Sequence, residues 1–96
     1  MNLEALKRFE NSETEFKLTK LGSKRASMVG VGQFETGDFY LVEIPESSHG
    51  PEGFAVEIIG YGLHYLRTSP IVKIVDQNET STTFETEGGF YKLEKS

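Results

Sequence analysis

The sequence predicts a mainly β protein, a small antiparallel barrel of SH3-like or OB-like type, with about six or seven strands behind a short N-terminal helix. Three observations predict it. From residue 14 onward apolar residues alternate with a period of two, in short runs rich in Val, Ile, Thr, Phe and Tyr that suit a pleated, half-buried surface. The connectors between runs are short and built from turn residues. Short connectors require antiparallel pairing, since parallel strands need crossovers of a dozen residues or more. A chain of 96 residues supports one core, so residues 1–96 form a single domain, with a helix in 1–11 and a β barrel or sandwich in 14–95. Closure into a barrel is favoured because it removes sheet edges.

The elements follow in order. "MNLEALKRFENSE" places Leu3, Leu6 and Phe9 at helical spacing among good helix formers, and Asn11-Ser12 ends the run. Two or three turns of helix do not hold alone, so this stripe must dock on an open end or edge of the sheet. "TEFKLTKL" sets Phe16 and Leu18 on one face and Lys17 and Thr19 on the other. "ASMVGVG" is short and glycine-punctuated, and "DFYLVEI" is apolar on both faces, as a central strand is. "FAVEII" opposes Phe54, Val56 and Ile58 to Ala55, Glu57 and Ile59. "IVKIV" turns Val72 and Ile74 one way and exposes Lys73, and "TTFETE" separates Phe84 from Glu85. "FYKLEK" points Tyr91 and Leu93 inward. "LGSKR", "QFETGD", "DQNET" and "EGG" read as the turns between them. The ending, a strand after "TSP" followed by a hairpin and a short "FYKL" strand, resembles in a generic way the end of many SH3-like or OB-like barrels.

Composition narrows the chemistry. Without cysteine there is neither a disulfide framework nor a thiolate metal site. His49 and His64 are the only histidines, and no metal-binding spacing accompanies them. Ser47 and Ser48 beside His49 lie in a Gly- and Ser-rich stretch that does not preorganise a nucleophile and base. "GVGQFETG" lacks the Gly-Lys-Ser/Thr ending of a phosphate loop, so Gly30, Gly32 and Gly37 are assigned to a bulge and a turn. Glu85 and Glu87 share a strand face as solubilising charge. The expectation is a protein that is not an enzyme, with no cofactor and no metal. No signal peptide and no membrane-spanning run is present, which points to the cytoplasm.

The net charge is −5, unevenly spread. Residues 1–30 carry six basic and four acidic side chains, and residues 31–96 carry four and eleven. An acidic surface opposes unspecific polyanion binding. The basic cluster Lys17, Lys20, Lys24 and Arg25 is read first as charge that protects an exposed strand edge from pairing. "PESSHGPEG", residues 45–53, is longer than a hairpin loop requires, and its composition fits a disordered loop.

"GYGLHYLRTSP", residues 60–70, concentrates the side chains able to form a site. As a continuous strand it would put Tyr61, Leu63, Tyr65 and Arg67 on one face. Gly60, Gly62, His64, Leu66 and Thr68 would lie on the other, with the glycines leaving a bare strip of backbone. A bend packed into the core explains these residues without a ligand. As a binding site, the residues are Tyr40, Tyr61, His64, Tyr65 and Arg67, with His64 the expected pH-sensitive group. The leading expectation is a module that binds a protein partner or a second copy of itself. The alternative is a nucleic-acid-binding barrel using Lys17, Lys20, Lys24, Arg25 and Arg67. Two further readings are a small-ligand pocket at the glycine strip and His64, and an acidic surface that imitates a phosphate backbone.

Overall fold

In the computed structural model, residues 3–10, 14–24, 30–44, 53–60 and 64–95 are described. A single helix, α1 (Glu4–Glu10), precedes seven strands: β1 (Phe16–Ser23), β2 (Phe34–Glu43), β3 (Phe54–Ile59), β4 (Tyr65–Arg67), β5 (Ile71–Gln77), β6 (Ser81–Thr86) and β7 (Gly89–Lys95). All pairings are antiparallel, in one sheet of order β4-β3-β2-β1-β7-β6-β5. The mainly β class with a short helix is therefore observed. The sheet is not closed, because β4 and β5 are its two edges.

One strand is divided between its two neighbours in a way that shapes the rest. β2 pairs with β1 over Phe34–Gly37 and with β3 over Asp38–Glu43, so one strand serves two neighbours in succession. Gly37 sits at the handover, and a Cβ there would overlap the Ile59 carbonyl and the Gly60 backbone. Among the described residues no strand pairs with the β1 side of β2 beyond Gly37. The Leu41 N–H points to that side and donates to Glu10 Oε2 at 2.7 Å, so the end of α1 completes the ladder. The docking of α1 follows its stripe: Leu3, Leu6 and Phe9 are all buried.

The core gathers on one face of the sheet. Phe16, Leu18, Phe39, Val56, Ile58, Ile71, Phe84, Tyr91 and Leu93 join the helix residues in one cluster. Phe16 links the parts, with its ring 5.2 Å from Phe9 and 5.6 Å from Phe39. Phe84 stacks on Tyr91 at 5.9 Å, and burial raises the pKa of the Tyr91 hydroxyl above 10.0. Full burial of one such side chain stabilises by about 1.5–3 kcal/mol, which is what holds a seven-residue helix in place.

The connector between the edges is fixed by hydroxyls. Val56 N–H donates to Thr68 Oγ1 at 3.0 Å, and that hydroxyl donates to the Ser69 carbonyl at 2.8 Å. Ser69 Oγ donates to Thr86 Oγ1 at 2.9 Å and accepts from Gly88 N–H at 2.8 Å. Gly89 N–H also donates to Thr86 Oγ1, at 3.1 Å. Glu87 N–H bonds the Pro70 carbonyl at 3.0 Å. Thus residues 68–70 are tied to the β6–β7 turn.

Several boundaries differ from the sequence reading. "LGSKR" and "QFETGD" are not turns throughout, because Leu21–Ser23 belong to β1 and Phe34–Gly37 to β2. The turn between them holds Gly30 and Gly32, whose φ values of 85° and 89° only glycine adopts freely. β1 is a central strand, so its lysines do not guard an edge of the finished sheet. β5 departs from strict alternation through two bulges, between Ile71 and Lys73 and between Ile74 and Asp76. Among the described residues no helix is long and apolar enough to cross a membrane. Residues 45–52 of the long loop lie outside the described residues.

Candidate functional site

The stretch 60–70 does not form one strand: its only strand among the described residues is β4, which pairs antiparallel with β3. β3 ends at Ile59, Gly60 N–H bonds the His64 carbonyl at 2.7 Å, and β4 spans only Tyr65–Arg67. A Cβ on Gly60 would press on the Glu35 carboxylate and the Thr36 carbonyl. The glycine there allows β2 to approach closely. The shallow hollow beside it, about 120 Å³, is lined by Glu15, Gly37, Asp38, Ile59 and Gly60, without His64. Tyr61 and Gly62 lie outside the described residues.

Three of the residues read from the sequence share one face of the sheet, Tyr40 on β2 and Tyr65 and Arg67 on β4, with β3 between them. Register pairs Tyr40 with Glu57 and Glu57 with Arg67. The neighbouring row pairs Asp38 with Ile59 and Ile59 with Tyr65. Directly paired residues point to the same side, so these six form two adjacent rows on the outer face of β2, β3 and β4. Tyr65 is 66% exposed, Tyr40 44% and Ile59 39%, against the buried Phe39 and Ile58 on the other side of the same strands. Among the described residues no ion pair joins Glu57 to Arg67. His64 stands apart from these rows: it precedes β4, its side chain is exposed, and its backbone carbonyl accepts from Gly60 N–H.

The cations of the nucleic-acid reading are dispersed. Lys17 Nζ lies 4.4 Å above the Phe34 ring, and Lys24 Nζ is 2.7 Å from Glu85 Oε2. Lys20 stands opposite the inward-facing Tyr91. Arg67 is on β4, three strands from β1, and Arg25 lies outside the described residues. Among the described residues no three His, Cys, Asp or Glu side chains converge as metal ligands.

One concavity escaped the sequence reading. Arg8, Phe9, Gln77, Asn78, Glu79 and Lys95 line a cleft of about 410 Å³ between α1 and the β5–β6 turn. Lys95 Nζ sits 5.6 Å over the Phe9 ring. Asn78 shapes the turn through its side-chain oxygen, which accepts from the Thr80 and Ser81 N–H groups at 2.9 and 3.0 Å. No local pattern announces this cleft, because its parts come from both ends of the chain and meet only when α1 docks.

No protein-family model matches this chain, and no curated protein or solved structure matches it either.

Proposed function

We propose that the chain is a non-enzymatic binding module, its sheet curled in the manner of a barrel, which engages a protein partner through the outer face of β2–β3–β4. The observation that carries this reading is the convergence of Tyr40, Ile59 and Tyr65 in two adjacent rows, with Arg67 at the edge. Single exposed apolar residues are ordinary, whereas a contiguous group bordered by charge has the make-up of a contact site. Tyrosine and arginine carry a disproportionate share of interface energy, because a ring or guanidinium offers a large contact area with polar atoms at its rim.

The test is a photo-crosslinking residue placed singly at positions 40, 65 and 75, in the cells the protein comes from. Val75 is 53% exposed on β5 and serves as the comparison. Adducts to a defined protein from positions 40 and 65, and not from 75, support the reading. Adducts confined to position 75 sink it.

A second reading, nucleic-acid binding, draws on one observation: Phe34 is 59% exposed beneath Lys17, a pairing of ring and cation on which a base could stack. Its signature would be affinity for single strands that falls steeply with salt.

A further inference from the structure

Resting on the outer face as a contact surface, the geometry points to its partner: we infer that β4 pairs antiparallel with β4 of a second copy, about a two-fold axis through Leu66. The backbone sets this up. Thr68 N–H bonds the Val56 carbonyl at 2.8 Å, and Gly60 N–H bonds the His64 carbonyl at 2.7 Å. In an antiparallel ladder the residues facing the partner recur every second position. Residues 64, 66 and 68 therefore turn their backbone groups toward β3, as the pairing of Leu66 with Ile58 requires. The N–H and C=O groups of Tyr65 and Arg67 point the other way, off the edge of the sheet.

A two-fold axis at Leu66 places Tyr65 opposite Arg67 of the second copy, and Arg67 opposite its Tyr65. Both pairs then exchange reciprocal backbone hydrogen bonds with the groups that β3 leaves unused. The side chains of both pairs emerge on the outer face, where each guanidinium meets a tyrosine ring of the other copy. The rows continue across the junction as Tyr40, Glu57, Arg67, then Tyr65, Ile59 and Asp38 of the second copy, with no like charges side by side. Other registers fail. A shift of one residue turns the outer side chains to the opposite face. A shift of two sets Arg67 against Arg67, or Tyr65 against Tyr65, and loses both complementary pairs. A closed two-fold pairing of this kind is self-complementary, the commonest form of assembly between identical chains.

The other edge does not offer the same partner. β5 carries two bulges, and a bulged edge does not present an evenly spaced row of backbone groups. Self-pairing is thus directed to β4. Its three residues make a short junction, below the roughly 1,200 Å² of a standard interface, so the dimer is weak and depends on concentration.

Sedimentation velocity from about 10 μM to about 1 mM, the range over which a weak contact fills, tests the inference. The wild-type mass is expected to rise toward twice the monomer. Tyr65→Arg sets arginine against Arg67 of the second copy and should weaken association at least tenfold. The double variant Tyr65→Arg/Arg67→Tyr exchanges the two partners and should restore it. Thermal unfolding of each variant checks that these exposed positions leave the fold intact. A wild type that stays monomeric at about 1 mM overturns the self-pairing, as does a dimer indifferent to Tyr65→Arg or a folded double variant that remains monomeric. The wider reading fails separately: crosslinks from positions 40 and 65 to an unlike protein keep it while a monomeric wild type removes the dimer, and a monomeric wild type with no crosslink from either position removes both.

Discussion

β4 and β5 are neighbours in the chain, joined by Thr68, Ser69 and Pro70, and yet they form opposite edges of one sheet. β4 is short and regular, with Tyr65 and Arg67 exposed in unbroken alternation around Leu66. β5 is more than twice as long and twice bulged, and Lys73, Asp76 and Gln77 on it are exposed. The longer edge is the greater hazard, because an unpaired strand is a template for another chain. It is the one carrying bulges and charge. The short edge carries one aromatic ring and one cation, and no bulge. The difference teaches that an open sheet can suppress pairing at one edge and leave it available at the other.

The largest test of this division is Gly37→Val. The new side chain would overlap the Ile59 carbonyl where β2 passes from β1 to β3, at an expected cost of about 3 kcal/mol or more. Hydrogen exchange should show β3 and β4 losing protection before β6 and β7. Equal loss everywhere would mean that the two halves unfold as one unit. Next comes Thr86→Val, which removes the hydroxyl shared by Ser69, Gly88 and Gly89. Buried donors left without an acceptor cost about 1–3 kcal/mol, to be read from urea unfolding. The connector that holds the edges apart should loosen with it. Smallest in stability, at about 1 kcal/mol or less in either direction, is deletion of Val75. Val75 is the unpaired residue of the second bulge, since Ile74 pairs with Phe84 and Asp76 with Thr83. Without it β5 becomes a more regular edge, and light scattering should report association that Tyr65→Arg does not suppress. An unchanged mass would mean that the bulge is not what keeps β5 unpaired.

Much of the fold was legible because local pattern and final burial agree. Phe54, Val56 and Ile58 alternate against Ala55, Glu57 and Ile59, and the first set packs into the core cluster. Leu3, Leu6 and Phe9 recur at helical spacing and are buried. The strand ends were less legible, because Gly22 and Gly37 signal turns locally while packing keeps them in strands. Gly22 lies against Phe90, and Gly37 against the Ile59 backbone. The open edges were not legible, since period-two alternation says which face is buried and nothing of which strands remain unpaired. For the site, alternation placed Tyr65 and Arg67 together, and pairing with β3 set Tyr40 on the same face, across β3 from them. His64 stands apart from these residues because β3 ends at Ile59 and β4 begins only at Tyr65.

The central position of β1 has a consequence for synthesis. β1 can pair with β2 as soon as Glu35 and Thr36 have emerged, but its other side is completed only by β7, which begins more than fifty residues later in the chain than β2 does. At about 5–20 residues per second, the ribosome leaves that side of β1 bare for several seconds or more. Pairing between strands so distant in sequence is also intrinsically slow. During this interval β1 is the edge that it no longer is in the finished protein. Lys17 and Lys20 are then where charge is needed to keep the nascent chain from pairing with its neighbours.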